Sequence, residues 1–238
     1  MSTVEVYDDA GALAAGVATR LLERLEEIQA AGRIPQVVLT GGTIADEVHR
    51  EVARLARDSS VDWARVEFWW GDERYVAADS PDRNALQAHT ALLDHLPVDP
   101  ALVHAMPSAE FGDLAAAATA YGVEVRESPH ADEFDVVMLG IGPDGHVASL
   151  FPGFPQLDVD DIALPVTGSP KPPPERITLT LAALSRSVAV WFLVSGAAKA
   201  DAVAQALAGA DKHDIPATGV TGMSETLWLI DEAAAGTT

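Results

Sequence analysis

An α/β fold is predicted for this chain: a Rossmann-like, doubly wound, mostly parallel sheet with helices on both faces. Three observations predict it. Five short, mainly apolar runs, QVVLT (36–40), RVEFWW (65–70), FDVVML (134–139), VAVWFLV (188–194) and TLWLI (226–230), read as strands, and VAVWFLV is apolar throughout, without the alternation of a half-solvated strand. Segments of helical periodicity separate most of them, the order that builds parallel crossovers. Glycine-containing polar loops directly follow the strands, which places them together on one edge of such a sheet.

The elements follow in order. Leu13, Val17, Leu21, Leu25 and Ile28 recur at steps of three and four and predict a helix over 10–31. A helix over 44–57 follows the first strand. Ser80 and Pro81 supply a cap and a first-turn proline for a helix running to about Leu96. A further helix covers 113–127. A proline-rich loop, SPKPPPER (169–176), leads into ITLT, and a last helix spans 197–208. With no internal repeat and no long linker, one domain over 1–238 is expected, ending in a frayed AAAGTT tail.

Composition bounds the function. The chain has 238 residues, 48% hydrophobic and 21% charged, enough to bury a substantial core. A net charge of -21 argues against nucleic acid as a partner, because phosphate neutralisation needs clustered Lys and Arg. The absence of cysteine excludes disulfides, thiolate nucleophiles and cysteine-ligated zinc. An acidic N-terminus and the lack of a long apolar run make a cytoplasmic protein without a membrane partner the expectation.

Four loops carry the chemistry. TGGT, Thr40, Gly41, Gly42 and Thr43, lies between a strand and a helix N-terminus, where backbone N–H groups and the helix dipole receive an anion such as phosphate. No Walker pattern follows it. In SGAAK (195–199), Lys199 stands in the first turn of a helix, the wrong end of the dipole unless an anion is bound there. Arg176 is a second cation candidate and Lys171 a weaker third. In GDER (71–74), Asp72 and Arg74 either pair with each other or face a substrate.

The fourth loop, GIGPDGH (140–146), fits the dinucleotide spacing G-x-G-x-x-G through Gly140, Gly142 and Gly145. Pro143 lacks an N–H, Asp144 places a carboxylate where a pyrophosphate would lie, and Pro152-Gly153 stops the long helix that fingerprint needs. The loop instead offers Asp144 and His146. Of the seven histidines, this one sits in a glycine-rich loop at the strand edge, while the other six read as structural. Imidazole takes and returns a proton near neutral pH, and a neighbouring carboxylate fixes its tautomer. No H-E-x-x-H pair suggests a metal, and no G-x-S-x-G elbow suggests a serine hydrolase.

LTGGT, FWWGDERYV followed by SPDRN, LGIGPDGHVASLFPG, SPKPPPERITLT and LVSGAAKADAV occur in this order over nearly the whole chain. As a set they resemble the 6-phosphogluconolactonase family. The resemblance implies hydrolysis of 6-phospho-D-glucono-1,5-lactone to 6-phosphogluconate, without metal or organic cofactor. It implies His146 as general base on water with Asp144 assisting, Arg74 and Asp72 at the reacting end, and Thr40, Gly41, Gly42, Thr43, Arg176 and Lys199 around the phosphate. A monomer is the expectation, a weak homodimer its alternative. The family loop is more often Ser-Gly-Gly-Ser-Thr-Pro, and here Thr-Ile-Ala follows the glycines, keeping hydroxyl donors but losing a proline. Two alternatives remain. A glucosamine-6-phosphate deaminase shares the Asp-Gly-His loop but follows it with a glutamate, and 147–153 contains none. A non-catalytic sugar-phosphate-binding regulator would carry a DNA-binding domain, for which neither the N-terminus nor the charge leaves room.

Overall fold

The structure, a computed structural model, describes residues 2–129 and 133–236. The elements run β1 (Ser2–Tyr7), α1 (Ala10–Ala30), β2 (Gln36–Leu39), α2 (Thr43–Leu55), β3 (Glu67–Trp70), β4 (Asp72–Arg74), α3 (Asn84–Ala91), α4 (Leu114–Glu127), β5 (Phe134–Leu139), β6 (Ala163–Val166), β7 (Arg176–Leu179), α5 (Leu181–Ser185), β8 (Ser187–Val194), α6 (Ala200–Leu207) and β9 (Glu225–Asp231), with short 3-10 turns between them.

Six strands form one sheet in the order β1-β9-β8-β5-β2-β3, and every pairing in it is parallel. All residues of β2, β3 and β5 are buried, so the sheet is covered on both faces, and the polar Gln36, Glu67 and Asp135 are buried with their apolar neighbours. Trp69, Trp70 and Trp191 are the largest fully buried side chains of its core. On α1 the predicted stripe Leu13, Val17, Leu21, Leu25 and Ile28 is buried, and the Asp9 carboxylate caps the helix by accepting from Ala12 N–H.

The topology locates the site. From β2 the chain moves outward to β3; from β5 it moves the other way to β8 and β9. β2 and β5 are neighbours, so the crevice between their carboxyl ends is the switch point at which open α/β sheets bind ligands. TGGT leaves β2 on one side of it and GIGPDGH leaves β5 on the other.

Several expectations change. The N-terminal segment forms an edge strand, β1, which its acidic, partly exposed sequence does not signal. The strand 65–70 breaks at Gly71, whose N–H donates to Leu39 O while its carbonyl accepts from Leu179 N–H. Beyond it β4 joins a second, antiparallel sheet, β4-β7-β6, so Asp72–Arg74 is a short strand and not a loop, while the proline-rich loop ends at Glu175 and Arg176 begins β7. The helix expected from Ser80 begins only at Asn84 and ends at Ala91. Its cap comes from Glu73, whose carboxylate accepts from Asn84 and Ala85 N–H at 2.8 Å each. The helix over 197–208 opens as a 3-10 turn, Ala197–Lys199. In the tail, Ala234 is buried and its N–H donates to Asp231, which removes the expected fraying there; Thr237 and Thr238 lie outside the described residues, as does His130 among the histidines read as structural.

Candidate active site

One cavity of about 500 Å³ opens at the switch point. It is lined by Thr40, Gly41, Gly42 and Thr43 after β2, Asp72 and Arg74 on β4, Gly140, Ile141 and His146 after β5, Lys171 and Arg176, and Ser195 and Lys199 after β8. All of the residues singled out from sequence therefore converge here, with Asp144 behind His146. Four of the chain's fifteen Lys and Arg face this one cavity in a protein with thirty-six acidic residues. Such convergence concentrates an anion locally whatever the net charge, since salt screens the more distant carboxylates.

The loop after β5 is built around His146. Gly142 N–H donates to His146 O and Gly145 N–H to Gly142 O, closing a tight turn. The Asp144 carboxylate lies 2.5 Å from His146 Nδ1. A Cβ on Gly142 would overlap both His146 Nδ1 and Asp144 Oδ1, and Gly145 holds φ +82 with Ile215 packed where its Cβ would be. Of the three glycines of the apparent dinucleotide fingerprint, Gly142 thus makes room for a carboxylate–imidazole pair and Gly145 for the packing of Ile215 against the turn. Burial pushes the Asp144 carboxyl up, but the hydrogen bond and charge of His146, with Lys171 beyond, hold it down at about 2. An ionised Asp144 accepts the Nδ1 proton, so the lone pair of the neutral imidazole resides on Nε2, which has no partner among the described residues. The ring packs at a tilt on Phe151, with centroids 4.8 Å apart.

On the other side of the crevice, Gly42 stands at the N-cap of α2 with φ +103 and no side chain caps the helix. The first-turn N–H groups therefore receive no side-chain cap from that residue and form the kind of helix N-terminus that can receive an anion. Lys199 approaches from β8, its Nζ donating to Ile141 O at 2.8 Å. Burial and the charge of Lys171 lower its pKa, and Asp144 opposes them. Ser195 and Gly196, which begin this turn, are fixed by Asp231: Ser195 Oγ donates to it at 2.5 Å and Gly196 N–H at 3.0 Å.

The β4–β7 pairing sets the remaining charges. Arg74 lies directly opposite Arg176, and Asp72 opposite Thr178. Two guanidiniums facing each other across a ladder repel, which an anion between or beside them relieves. Asp72 does not pair with Arg74. Its carboxylate accepts from Ser149 Oγ at 2.6 Å and lies 3.9 Å from Arg176 Nη1. Arg74 donates from Nη1 to Asp82 O at 2.5 Å, and its Nε is buried without a partner. Arg176 is less available than its charge suggests. Its Nε donates to Pro173 O, Nη2 to Lys171 O, and Nη1 to Ser149 Oγ, so it pins the proline-rich loop while presenting its charge to the cavity.

Residues 8–228 match the family described as glucosamine-6-phosphate isomerases/6-phosphogluconolactonase. The chain belongs to this family. Among its 6-phosphogluconolactonase relatives, that of Mycobacterium leprae is 45% identical over 98% of this chain and 97% of its own length. That of Streptomyces coelicolor is 44% identical over 97% and 92%. The crystal structure of the Thermotoga maritima 6-phosphogluconolactonase superposes with a TM-score of 0.86 at 28% identity, covering 97% of this chain and all of that one.

Sequence reasoning about this family site missed Ser149, Asp231 and Asn84. Ser149 and Asp231 act through long-range bonds that no local pattern announces. Asn84 stood in the quoted SPDRN, where only its spacing from GDER marked it.

Proposed function

We propose that this cavity hydrolyses 6-phospho-D-glucono-1,5-lactone to 6-phospho-D-gluconate by general-base activation of water. The observation that carries the reading is the Asp144–His146 pair, whose open Nε2 faces a cavity in which four cations converge. A base alone fits many hydrolases; beside an anion grip it fits a phosphorylated ester.

The TGGT turn with the α2 N-terminus and Lys199 hold the phosphate, with the charges of Arg176 and Lys171 nearby. Anchoring that end fixes the lactone carbonyl near His146 and converts binding energy into orientation. Nε2 takes a proton from water as the water oxygen bonds to C1. The carbonyl electrons move to oxygen, and this oxyanion falls to Arg74, whose unpartnered Nε is a donor without an acceptor. The tetrahedral species collapses, the C1–ring oxygen bond breaks, and Nε2 returns the proton to the departing ring oxygen. Asp144 stabilises the transient imidazolium throughout. The acid product then ionises and releases one proton. Water and side chains perform every step.

The relatives named 6-phosphogluconolactonase support this reading over the deaminase, whose chemistry asks for a glutamate after the histidine; VASLFPG occupies 147–153. The reading takes the whole chain as one domain acting as a cytoplasmic monomer. No helix among the described residues is long and apolar enough to cross a membrane. Sedimentation at micromolar concentration tests the monomer. Acid release from freshly made lactone, measured as a rate above spontaneous hydrolysis, tests the activity; no acceleration by the wild-type protein would reject it.

A further inference from the structure

Asn84, the first residue of α3, is 2% exposed and lines the cavity between the TGGT turn and Asp72. Its amide orientation is forced. Nδ2 donates to Asp72 O at 3.0 Å and approaches Asp72 Oδ1 at 3.4 Å, and both of these atoms only accept, so the nitrogen must face them. The oxygen is therefore the end turned to Gly41, where a Cβ on that residue would overlap it. Gly41 is glycine to admit this oxygen. Yet Oδ1 is buried with no hydrogen-bond partner among the described residues. Buried acceptors of this kind are rare because an unmade bond is expensive.

The missing partner must be a donor. Phosphate oxygens, the lactone carbonyl and the ring oxygen only accept, so none of them satisfies Oδ1, and the oxygen is no part of the phosphate grip. The hydroxyl groups along the sugar chain are the donors such a substrate carries. We propose that Asn84 is a further substrate-binding residue, its side-chain oxygen accepting a hydrogen bond from one hydroxyl of the polyhydroxy acid chain. This inference rests on the lactonase reading above. It gives the site a means of telling a polyhydroxy phosphate from other phosphorylated esters, because an analogue without that hydroxyl leaves the oxygen unpaired.

The test compares wild type and Asn84→Ala on the parent lactone and on its three monodeoxy analogues, lacking the hydroxyl at C2, C3 or C4. With the parent and two analogues, Asn84→Ala loses about 10- to 100-fold in kcat/KM. With the third analogue the two proteins are equal, since the interaction is already absent. Inorganic phosphate inhibits both proteins equally. Equal losses on all four substrates would mean a purely structural role and overturn the proposal, as would no loss on the parent. If Asn84→Ala fails to fold, Asn84→Ser, which keeps a hydroxyl donor for Asp72 and vacates the place of Oδ1, takes its place with the same expected pattern. A wild-type protein inactive on the parent lactone overturns the functional reading instead, and this inference with it.

Discussion

His146 and His104 sit at opposite ends of the same sheet, each against a carboxylate, and they are held differently. His104 is held on both nitrogens: Nδ1 lies 2.7 Å from Glu124, and Nε2 lies 2.7 Å from Glu67, near enough for an ion pair although its N–H is not aligned on the oxygen. Its ring stacks on Trp69 at 3.9 Å, and Gln36 links Glu67 to the Trp69 indole. Gln36 and Glu67 begin β2 and β3, the end of the sheet away from the cavity. Burial works against the charged ring, but the two carboxylates prevail and push its pKa up to about 9. A proton so held does not cycle at neutral pH. His146 has one carboxylate and one open nitrogen. In the reading proposed above, the second carboxylate is what separates a structural imidazolium from a base.

The largest expected effect breaks the active half of this contrast. His146→Ala should lower the enzymic rate of acid release, above background, by about 10²- to 10⁴-fold, the range for losing a positioned general base. Binding of 6-phosphogluconate should persist, as read by calorimetry. His104→Gln should retain the rate. Equal losses in the two variants would remove the distinction. Next in size is Gly142→Ala, which leaves both members of the pair in place but drives a methyl into them. A displacement near 1 Å at a catalytic group costs about 100-fold, so kcat should fall by that order with little change in KM.

What was legible in sequence follows the range of the interactions. Parallel strands buried on both faces are mostly apolar, so VAVWFLV and, despite Asp135, FDVVML announce themselves. The loops of the site were legible because they follow those strands and carry charge beside glycine. β1 was not, since Val4 and Val6 remain exposed on an edge strand and Glu5 and Ser2 break the run. The antiparallel sheet was hidden because β4 pairs with β7 about a hundred residues later, through strands of three and four residues. Ser80-Pro81 misled for a related reason: the cap of α3 is a carboxylate on β4 and not the serine next in line. GIGPDGH shows the opposite case. Its glycine spacing was visible, but its meaning lay in what packs against Gly142.

Lys199→Ala tests the anion half of the cavity against its base. Removing a charge-assisted contact to phosphate should raise KM about 10- to 100-fold, with a smaller change in kcat. A saturation curve that keeps its KM would detach Lys199 from the phosphate and leave its bond to Ile141 O as its whole role.

The smallest effect concerns His104 and appears in stability. Its folded pKa, about 9, lies above the roughly 6.5 of an unfolded histidine. Its contribution is therefore fully present below about pH 6.5 and lost as pH rises through the folded value. Glu124 is partly exposed, so solvent weakens that half of the clamp, and the contribution is about 1–2 kcal/mol. Denaturant titrations at pH 6 and pH 10 should show wild type losing about that much more stability than His104→Gln across the interval. The difference between the two proteins isolates His104, because His213, also raised by Asp211 and Asp158, is common to both. Parallel curves would mean that His104 is held by its stack on Trp69 alone, and the two carboxylates would no longer mark off the structural histidine from the one proposed as base.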